Sequence, residues 1–257
     1  MNMEIDKHQL EALDLFGFHA AVPLFRADCE DADHLATGTF IAVGDKLVLL
    51  TARHVLDQCK PEDIAIAEKP EGSQLRTLGG LAVHTAADVS GAGIDIDIVC
   101  LEIQDAETIE IARTGWRVVD ISVGDAAIGN GELLLVGYPS ATLKKHRMKL
   151  TGRPTGIITR MMTSVPPEAV QPVDPVLDMF LHLTGQSVVE GGKIVDTPRI
   201  EGMSGCAIWE LREPAEGELW SPERVFRLVG IQARARHYDY FRGKSWRYIE
   251  AMLRRIR

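Results

Sequence analysis

Short apolar runs separated by Gly, Pro, Asp and Asn make up most of the chain. Residues 37–55, TGTFIAVGDKLVLLTARHV, form two apolar halves joined at Gly44-Asp45, which predicts a β-hairpin. Residues 94–103, IDIDIVCLEI, alternate at first, and residues 132–139, ELLLVGYP, are apolar up to a Gly and a Pro, so each predicts a strand. The same pattern predicts further strands over 149–162, 180–185, 206–211 and 225–235.

Helical periodicity is limited to the two ends of the chain. The acidic opening segment, MNMEIDKHQLEALDLFGF, reads as a short helix, and the closing segment, SWRYIEAMLRRIR, predicts a helix docked on the sheets. The apolar positions of the closing helix are Tyr248, Ile249, Met252, Leu253 and Ile256. Many short strands with turn signals and few helices predict an all-β sandwich or barrel.

Composition and charge narrow the class of protein. The 257 residues include 46% hydrophobic and 25% charged residues, which is typical of a globular protein with a sizeable core. The net charge of -9 argues against nucleic-acid or anionic-membrane partners. An apolar run of about 18 residues would predict a membrane helix, and none occurs. Without a basic segment leading into an apolar one, we expect a cytoplasmic protein.

The four cysteines, Cys29, Cys59, Cys100 and Cys206, show no paired spacing. We therefore predict reduced thiols, with Cys100 and Cys206 buried in hydrophobic runs, and no zinc site. No cofactor is predicted.

Residues 201–210, EGMSGCAIWE, place Ser204 in a glycine-flanked turn directly ahead of an apolar run. One interpretation is a tight turn that leads into a strand. The other is a turn that presents a nucleophile and two backbone N–H groups to one point. The second interpretation requires a base, because a serine hydroxyl alone is a poor nucleophile.

His54 is the best candidate base among the eight histidines, because it follows the buried run 47–50 where the strand gives way to a turn. His182, in FLHLTG, is predicted to be an ordinary core or surface histidine. Asp97 opens the apolar run DIVCLEI, and a buried carboxylate there requires a partner such as a histidine N–H. Asp95 competes for this role, and both aspartates could instead cap a strand edge.

The segments TARHV, DIVCLEI and GMSGCAIW, in that order, resemble the three signatures of the trypsin-like (chymotrypsin-fold) serine peptidases. The hairpin over 37–55, the strand LLLVGYP and the strand RLVGIQA resemble further parts of that family. The resemblance covers about residues 20–257.

The resemblance implies an all-β fold of two six-stranded antiparallel barrels. Residues 1–120 would form the N-terminal segment and the first barrel, which carries His54 and Asp97, and residues 121–257 the second barrel with Ser204. It further implies that Ser204 is the nucleophile, His54 the base and Asp97 the carboxylate that orients it. The backbone N–H groups of Gly202 and Ser204 would form the oxyanion hole.

The sequence departs from the family at several positions. Cys206 stands where the family usually has Gly, and Arg53 where it has Ala next to the histidine. No Ile-Val-Gly-Gly segment is present for activation by a freed amino terminus, which favours the bacterial branch. A partner or effector is then expected to order the oxyanion loop, residues 192–203.

The primary substrate pocket is assigned by the resemblance alone. Its floor would be formed by Pro198 and Arg199 and one wall by Ala233, Arg234 and Ala235, continuing to Arg236. Because Arg234 and Arg236 alternate along the strand, they suggest a weak preference for an acidic side chain before the cleaved bond. The alternative is that these arginines are ordinary surface charges.

We therefore predict a serine endopeptidase that acts on a protein or peptide and is regulated by a partner, which could be a protein, or by an effector. The first rival is a catalytically silent pseudoprotease that binds proteins. The second is an α/β hydrolase with a Gly-x-Ser-x-Gly motif, which Cys206 and the missing βα alternation oppose.

Overall fold

A computed structural model describes residues 7–27, 33–70, 74–85, 96–129, 132–146, 149–183, 185–212, 221–236 and 239–256. Two large, predominantly antiparallel sheets dominate the fold, with a few short helices around them. This confirms the predicted all-β class and the two-barrel architecture. Each sheet has eight strands in the described ranges, against the six predicted, because short strands extend the sheets.

The first sheet is built around a long strand and its hairpin partner. Its strands are β1 Val22–Arg26, β2 Asp33–Val43, β3 Lys46–Thr51, β4 Ile64–Ala67, β5 Leu75–Thr77, β6 Leu81–Thr85, β7 Val99–Ile103 and β8 Val119–Asp120. The order is β5-β4-β1-β2-β3-β7-β6, with β8 parallel to β2. Val43 pairs with Lys46 across a turn in which Gly44 has φ +66°, so the predicted hairpin is confirmed.

The second sheet begins at β9, Leu133–Gly137, and a separate hairpin of β10, Lys144–His146, and β11, Lys149–Thr151, follows it. The remaining strands are β12 Thr155–Thr159, β13 Asp178–His182, β14 Gln186–Val189, β15 Lys193–Asp196, β16 Ala207–Leu211, β17 Phe226–Arg236 and β18 Tyr240–Ser245. The order is β13-β18-β17-β16-β9-β12-β14-β15. Strand β16 begins at Ala207, directly after the Ser204 turn, and β17 pairs with it. Gln232 of β17 accepts a hydrogen bond from the Gly205 N–H.

The helices are short. They are α1 Lys7–Ala12, α2 Phe18–Ala20, α3 Ala106–Gly115, α4 Pro222–Val225 and α5 Trp246–Leu253, and a π-helical turn, Leu13–Gly17, joins α1 to α2. The two terminal helices were predicted, whereas α3 was not. Asp105 caps α3 by accepting a hydrogen bond from the Thr108 N–H at 2.8 Å. No helix of the described residues is long and apolar enough to cross a membrane.

Among the described residues, the three largest apolar clusters organise the interior: two consist mainly of residues from one sheet each, and the third lies between the sheets. Leu47 and Leu49 of β3 pack in the cluster of the first sheet, while Val48 and Leu50 pack in the cluster between the sheets. Both faces of β3 are therefore buried, which explains why its sequence is continuously apolar rather than alternating. The second sheet contributes Leu134, Val136, Trp209 and Ile231, among others, to the cluster between the sheets.

The N-terminal segment also packs into the cluster between the sheets. The Phe16 ring lies edge-on to Trp209 at 5.4 Å and 5.9 Å from the Phe226 ring. Leu13 and Phe18 are buried beside it. The segment before β1 is thus an integral part of the core.

We expect Phe16→Ala to lower the free energy of unfolding by about 3–5 kcal/mol, because it removes a buried aromatic ring and leaves a cavity. Leu15→Ala is the matched control, since the Leu15 side chain is 56% exposed and should contribute little. Chemical denaturation of both variants measures the difference. Equal stabilities would show that the N-terminal segment does not pack as described.

Candidate active site

The His54 side chain is held at the end of a rigid strand. β3 ends at Thr51, Ala52 continues in extended conformation, and residues Arg53–Asp57 form a 3-10 turn. The Thr51 hydroxyl donates to the Thr37 carbonyl at 2.8 Å and so fixes the strand end. The His54 side chain remains 26% exposed, so part of the ring is accessible to solvent.

Asp97 is buried directly beside His54. Its neighbours Ile96 and Ile98 are both buried between the two sheets, which fixes the position of the carboxylate. Asp97 Oδ1 accepts the His54 backbone N–H at 2.9 Å, and Oδ2 accepts from His54 Nδ1 at 2.9 Å. This bond assigns the ring proton to Nδ1, so that Nε2 can accept a proton. Asp95, the competing aspartate, lies outside the described residues.

A third group, Arg234 of β17, also binds the buried carboxylate. Its Nε donates to Asp97 Oδ2 at 2.7 Å, while half of the arginine side chain is exposed. Burial raises the pKa of Asp97, but the hydrogen bonds from His54 and Arg234 outweigh it and lower the pKa to about 2. Asp97 is therefore ionised at neutral pH, and its charge is stabilised by hydrogen bonds from His54 of the first sheet and Arg234 of the second.

The turn that contains Ser204 requires its two glycines. Gly202 has φ +90° and Gly205 φ +87°, a region that other residues rarely adopt. A Cβ on Gly205 would lie 2.3 Å from Thr51 Oγ1 and 2.8 Å from the Ala52 nitrogen. The residue after Ser204 thus packs against the strand end that leads to His54.

Four consecutive carbonyls around Ser204 each have a hydrogen-bond donor. Glu201 O accepts from Ser140 N–H at 2.7 Å and Met203 O from Cys206 N–H at 3.0 Å. Gly202 O and Ser204 O both accept from Thr37, at 3.0 Å from its hydroxyl and 2.9 Å from its N–H.

These bonds also determine where the intervening N–H groups point. In a trans peptide the N–H points opposite to the C=O, so Gly202 N–H points away from Ser140 and Ser204 N–H away from Cys206. Neither N–H donates to an acceptor within the described part of the chain. Both N–H groups can therefore donate hydrogen bonds to an oxygen atom of a molecule bound at this turn.

The Ser204 hydroxyl itself makes no hydrogen bond to His54 or to any other described residue. Contacts of this kind are often long before a substrate binds and shorten in the complex. The structure therefore brings His54 and Asp97 into direct contact and sets Ser204 on the adjoining turn.

The residues predicted for the substrate pocket differ in their exposure to solvent. Pro198 is partly buried and Arg199 is exposed, while Ala233 is buried. Ala235 is exposed and pairs with the buried Phe241 of β18. The Arg234 guanidinium lies on Asp97, beside a cavity of about 70 Å³ that Ala233, Arg242 and Lys244 also line. The side chain of Arg236 is not among those described.

His34, which sequence reasoning set aside, lies against the Ser204 turn. Its Nδ1 is 2.8 Å from Ser140 Oγ, and a Cβ on Gly202 would lie 2.4 Å from its Cε1. Burial lowers the pKa of His34 to about 4, against a smaller opposing effect of a hydrogen bond with the Ala36 backbone. Its contact with Ser140 could not be predicted from the sequence around His34, because the two residues are 106 positions apart.

The described cysteines are reduced. Cys59, Cys100 and Cys206 form no disulfide, and burial raises the pKa of the Cys100 and Cys206 thiols. Cys29 lies outside the described residues. Across the ranges that the structure covers, no group of His, Cys, Asp and Glu side chains is arranged to hold a metal ion. His182 is exposed on β13.

Comparison with known proteins identifies similar folds but no close relative. No protein-family model matches the sequence, and no curated protein matches it. A scabies mite inactivated protease paralogue is similar in structure, with 14% identity, a TM-score of 0.55 and 95% of each chain covered. The thermostable serine protease AL20 from an extremophilic microorganism is 10% identical, with a TM-score of 0.54 and coverage of 93% of this chain and 97% of that one.

The Vibrio cholerae VesB protease is also similar, at 10% identity and a TM-score of 0.50, over 91% of this chain and 62% of that one. At these identities the likeness establishes the fold, which is that of the trypsin-like serine proteases. One of the similar structures is inactivated, so the fold alone does not imply catalysis.

We expect stability to fall as the pH drops from 6.5 to 4, because of His34. The unfolded chain binds a proton near pH 6.5, whereas folded His34 binds one only near pH 4, so acidification favours unfolding. The difference corresponds to about 3 kcal/mol.

Denaturation of the wild type and His34→Gln between pH 7 and pH 4 measures this effect. The variant, which cannot titrate at this position, should lose most of the slope. His182→Gln, at an exposed histidine, is the matched control and should retain it. A His34→Gln slope equal to that of the wild type would contradict the assignment.

Proposed function

We propose that the protein is a serine endopeptidase in which Ser204, His54 and Asp97 form the catalytic triad. The observation that carries the proposal is the pair of hydrogen bonds between the buried Asp97 carboxylate and His54, next to a serine turn packed on the same strand end. A buried ionised carboxylate is costly unless it is paired, and here it orients an accessible imidazole.

In the proposed reaction, His54 Nε2 removes the proton from Ser204 Oγ as that oxygen attacks the carbonyl carbon of a peptide bond. The negative charge that develops on the carbonyl oxygen is stabilised by the N–H groups of Gly202 and Ser204. His54 then donates its proton to the nitrogen of the leaving amine as the C–N bond breaks. Water, deprotonated by His54, then attacks the acyl carbon. The bond from that carbon to Ser204 Oγ breaks, the acid is released, and His54 returns its proton to Oγ.

Asp97 has two functions in this scheme. Its hydrogen bond to Nδ1 keeps the ring in the tautomer that can accept a proton at Nε2, and its charge stabilises the imidazolium that forms. Arg234 helps to hold Asp97 in its ionised form, because it donates to the same carboxylate oxygen as His54. A proton bound to Asp97 would weaken both functions.

The substrate proposed is a protein or peptide chain, with a pocket formed by Pro198, Arg199, Ala233, Arg234 and Ala235. The engagement of Arg234 with Asp97 weakens the case that it recognises an acidic side chain, since part of its charge is already matched. The proposed mechanism requires no partner to order residues 192–203. The carbonyls of residues 201–204 already accept hydrogen bonds from within the chain, which supports an ordered turn.

The competing function is a protein-binding module with a silent triad. It is favoured by the similarity to an inactivated protease and by the lack of a hydrogen bond on the Ser204 hydroxyl among the described residues. Intact residues at all three triad positions favour the peptidase.

Labelling with a fluorophosphonate, which reacts with activated serine hydroxyls, tests the proposal. We expect the wild type to be labelled at Ser204, Ser204→Ala to be unlabelled, and His54→Ala and Asp97→Asn to react about 10⁴-fold more slowly. Ser122→Ala, which alters an exposed serine, should react like the wild type.

Mass spectrometry of the labelled peptide locates the reacting serine. Absence of labelling of the folded wild type at every pH between 6 and 9 would refute the peptidase and leave the binding module. Labelling at a serine other than Ser204 would refute the assigned nucleophile.

A further inference from the structure

Thr37 of β2 connects the two halves of the candidate active site. It is fully buried, and its polar atoms take part in four hydrogen bonds. Its N–H and its hydroxyl donate to Ser204 O and Gly202 O, as described above, while its carbonyl accepts from Thr51. Its hydroxyl oxygen also accepts the Tyr138 N–H at 2.9 Å.

From this arrangement, and given the proposed function, we infer that Thr37 is a positioning residue. Its hydroxyl holds residues 201–205 in the form that presents the Gly202 and Ser204 N–H groups, so that the loop needs neither a freed amino terminus nor a bound partner.

The hydroxyl is suited to this function because it is both donor and acceptor. Its single proton is directed to Gly202 O, and a lone pair receives the Tyr138 N–H. The Gly202 carbonyl belongs to the peptide group that lies between the two N–H groups of the oxyanion hole. Rotation of that peptide would therefore disturb both N–H groups.

Other contacts support the loop but come from different residues. Met203 is fully buried among apolar side chains of the second sheet, and Gly205 N–H donates to Gln232 O at 2.7 Å. These contacts fix the loop to the second sheet. Thr37 belongs to the first sheet, which also carries His54, and so it sets the loop relative to the proposed base.

The test compares Thr37→Val, which keeps the shape and the backbone N–H but loses the hydroxyl, with two other variants. Thr37→Ser retains a hydroxyl. Thr39→Val is the matched control, because Thr39 lies two residues further along β2, is fully buried, and has a hydroxyl without a partner among the described residues. For each variant we measure the saturation kinetics of fluorophosphonate labelling and the amide hydrogen exchange of residues 200–206.

We expect Thr37→Val to lower the maximal labelling rate by about 10- to 100-fold, with the reagent's half-saturation concentration unchanged, since the effect falls on the developing oxyanion. Its exchange at 200–206 should be faster than in the wild type. Thr37→Ser should restore both measurements, and Thr39→Val should change neither.

Wild-type labelling and exchange in Thr37→Val would overturn the inference. So would slow labelling in Thr37→Ser if its exchange at 200–206 is like that of the wild type. If Thr37→Val does not fold, Thr37→Ala, which also lacks the hydroxyl, takes its place. Slower labelling together with faster exchange at 200–206 in Thr37→Ala would support the inference, and wild-type values of both would overturn it.

A wild type that is never labelled, combined with faster exchange in Thr37→Val, would refute the proposed peptidase while supporting the control of the loop by Thr37. The two failures are therefore distinguishable.

Discussion

The apolar contact between the two sheets is the constraint on which the candidate site depends. Val48 and Leu50 on one side meet Leu134 and Trp209 on the other, and terminal segments fill the remaining space. Burial of this surface is favourable in proportion to its area, but it is non-directional and does not by itself fix the sheets to within a fraction of an ångström. That precision comes from the few polar contacts that cross the interface, above all the bonds of Thr37 to the Ser204 turn and of Arg234 to Asp97.

The polar contacts follow from a strict requirement of the interior. A carboxylate or carbonyl that loses its hydrating water on burial requires a hydrogen-bond donor from the protein. The free-energy cost of leaving it without a donor is larger than the net gain from forming the hydrogen bond. Asp97 meets this requirement with two donors from one residue of its own sheet and one from the other. The charge of Asp178 is treated in the same way, since Arg242 and Lys244 of β18 bind it and their hydrogen bonds outweigh burial, so that its pKa is lowered.

Sequence patterns predicted the parts of the fold that are locally encoded. The β2–β3 hairpin was predicted because Gly44-Asp45 breaks an apolar run, and the closing helix because its apolar residues share one face. Helix α3 was missed, although Asp105 is a good cap, because only a few of its residues are buried. The pairing of His54 with Asp97 was expected from the cost of burying a carboxylate. The contributions of Arg234, Thr37 and His34 could not be predicted, since each depends on a neighbour more than a hundred residues away.

Cys206 is a second potential nucleophile next to Ser204, and its burial keeps it from reacting. It is the second residue after Ser204, yet it has no exposed surface and its thiol is held in the protonated form by burial. A protonated, enclosed sulfur is a poor nucleophile and is inaccessible to oxidants and to other thiols. Cys206 therefore offers no thiolate at this turn that could compete with the proposed Ser204 nucleophile.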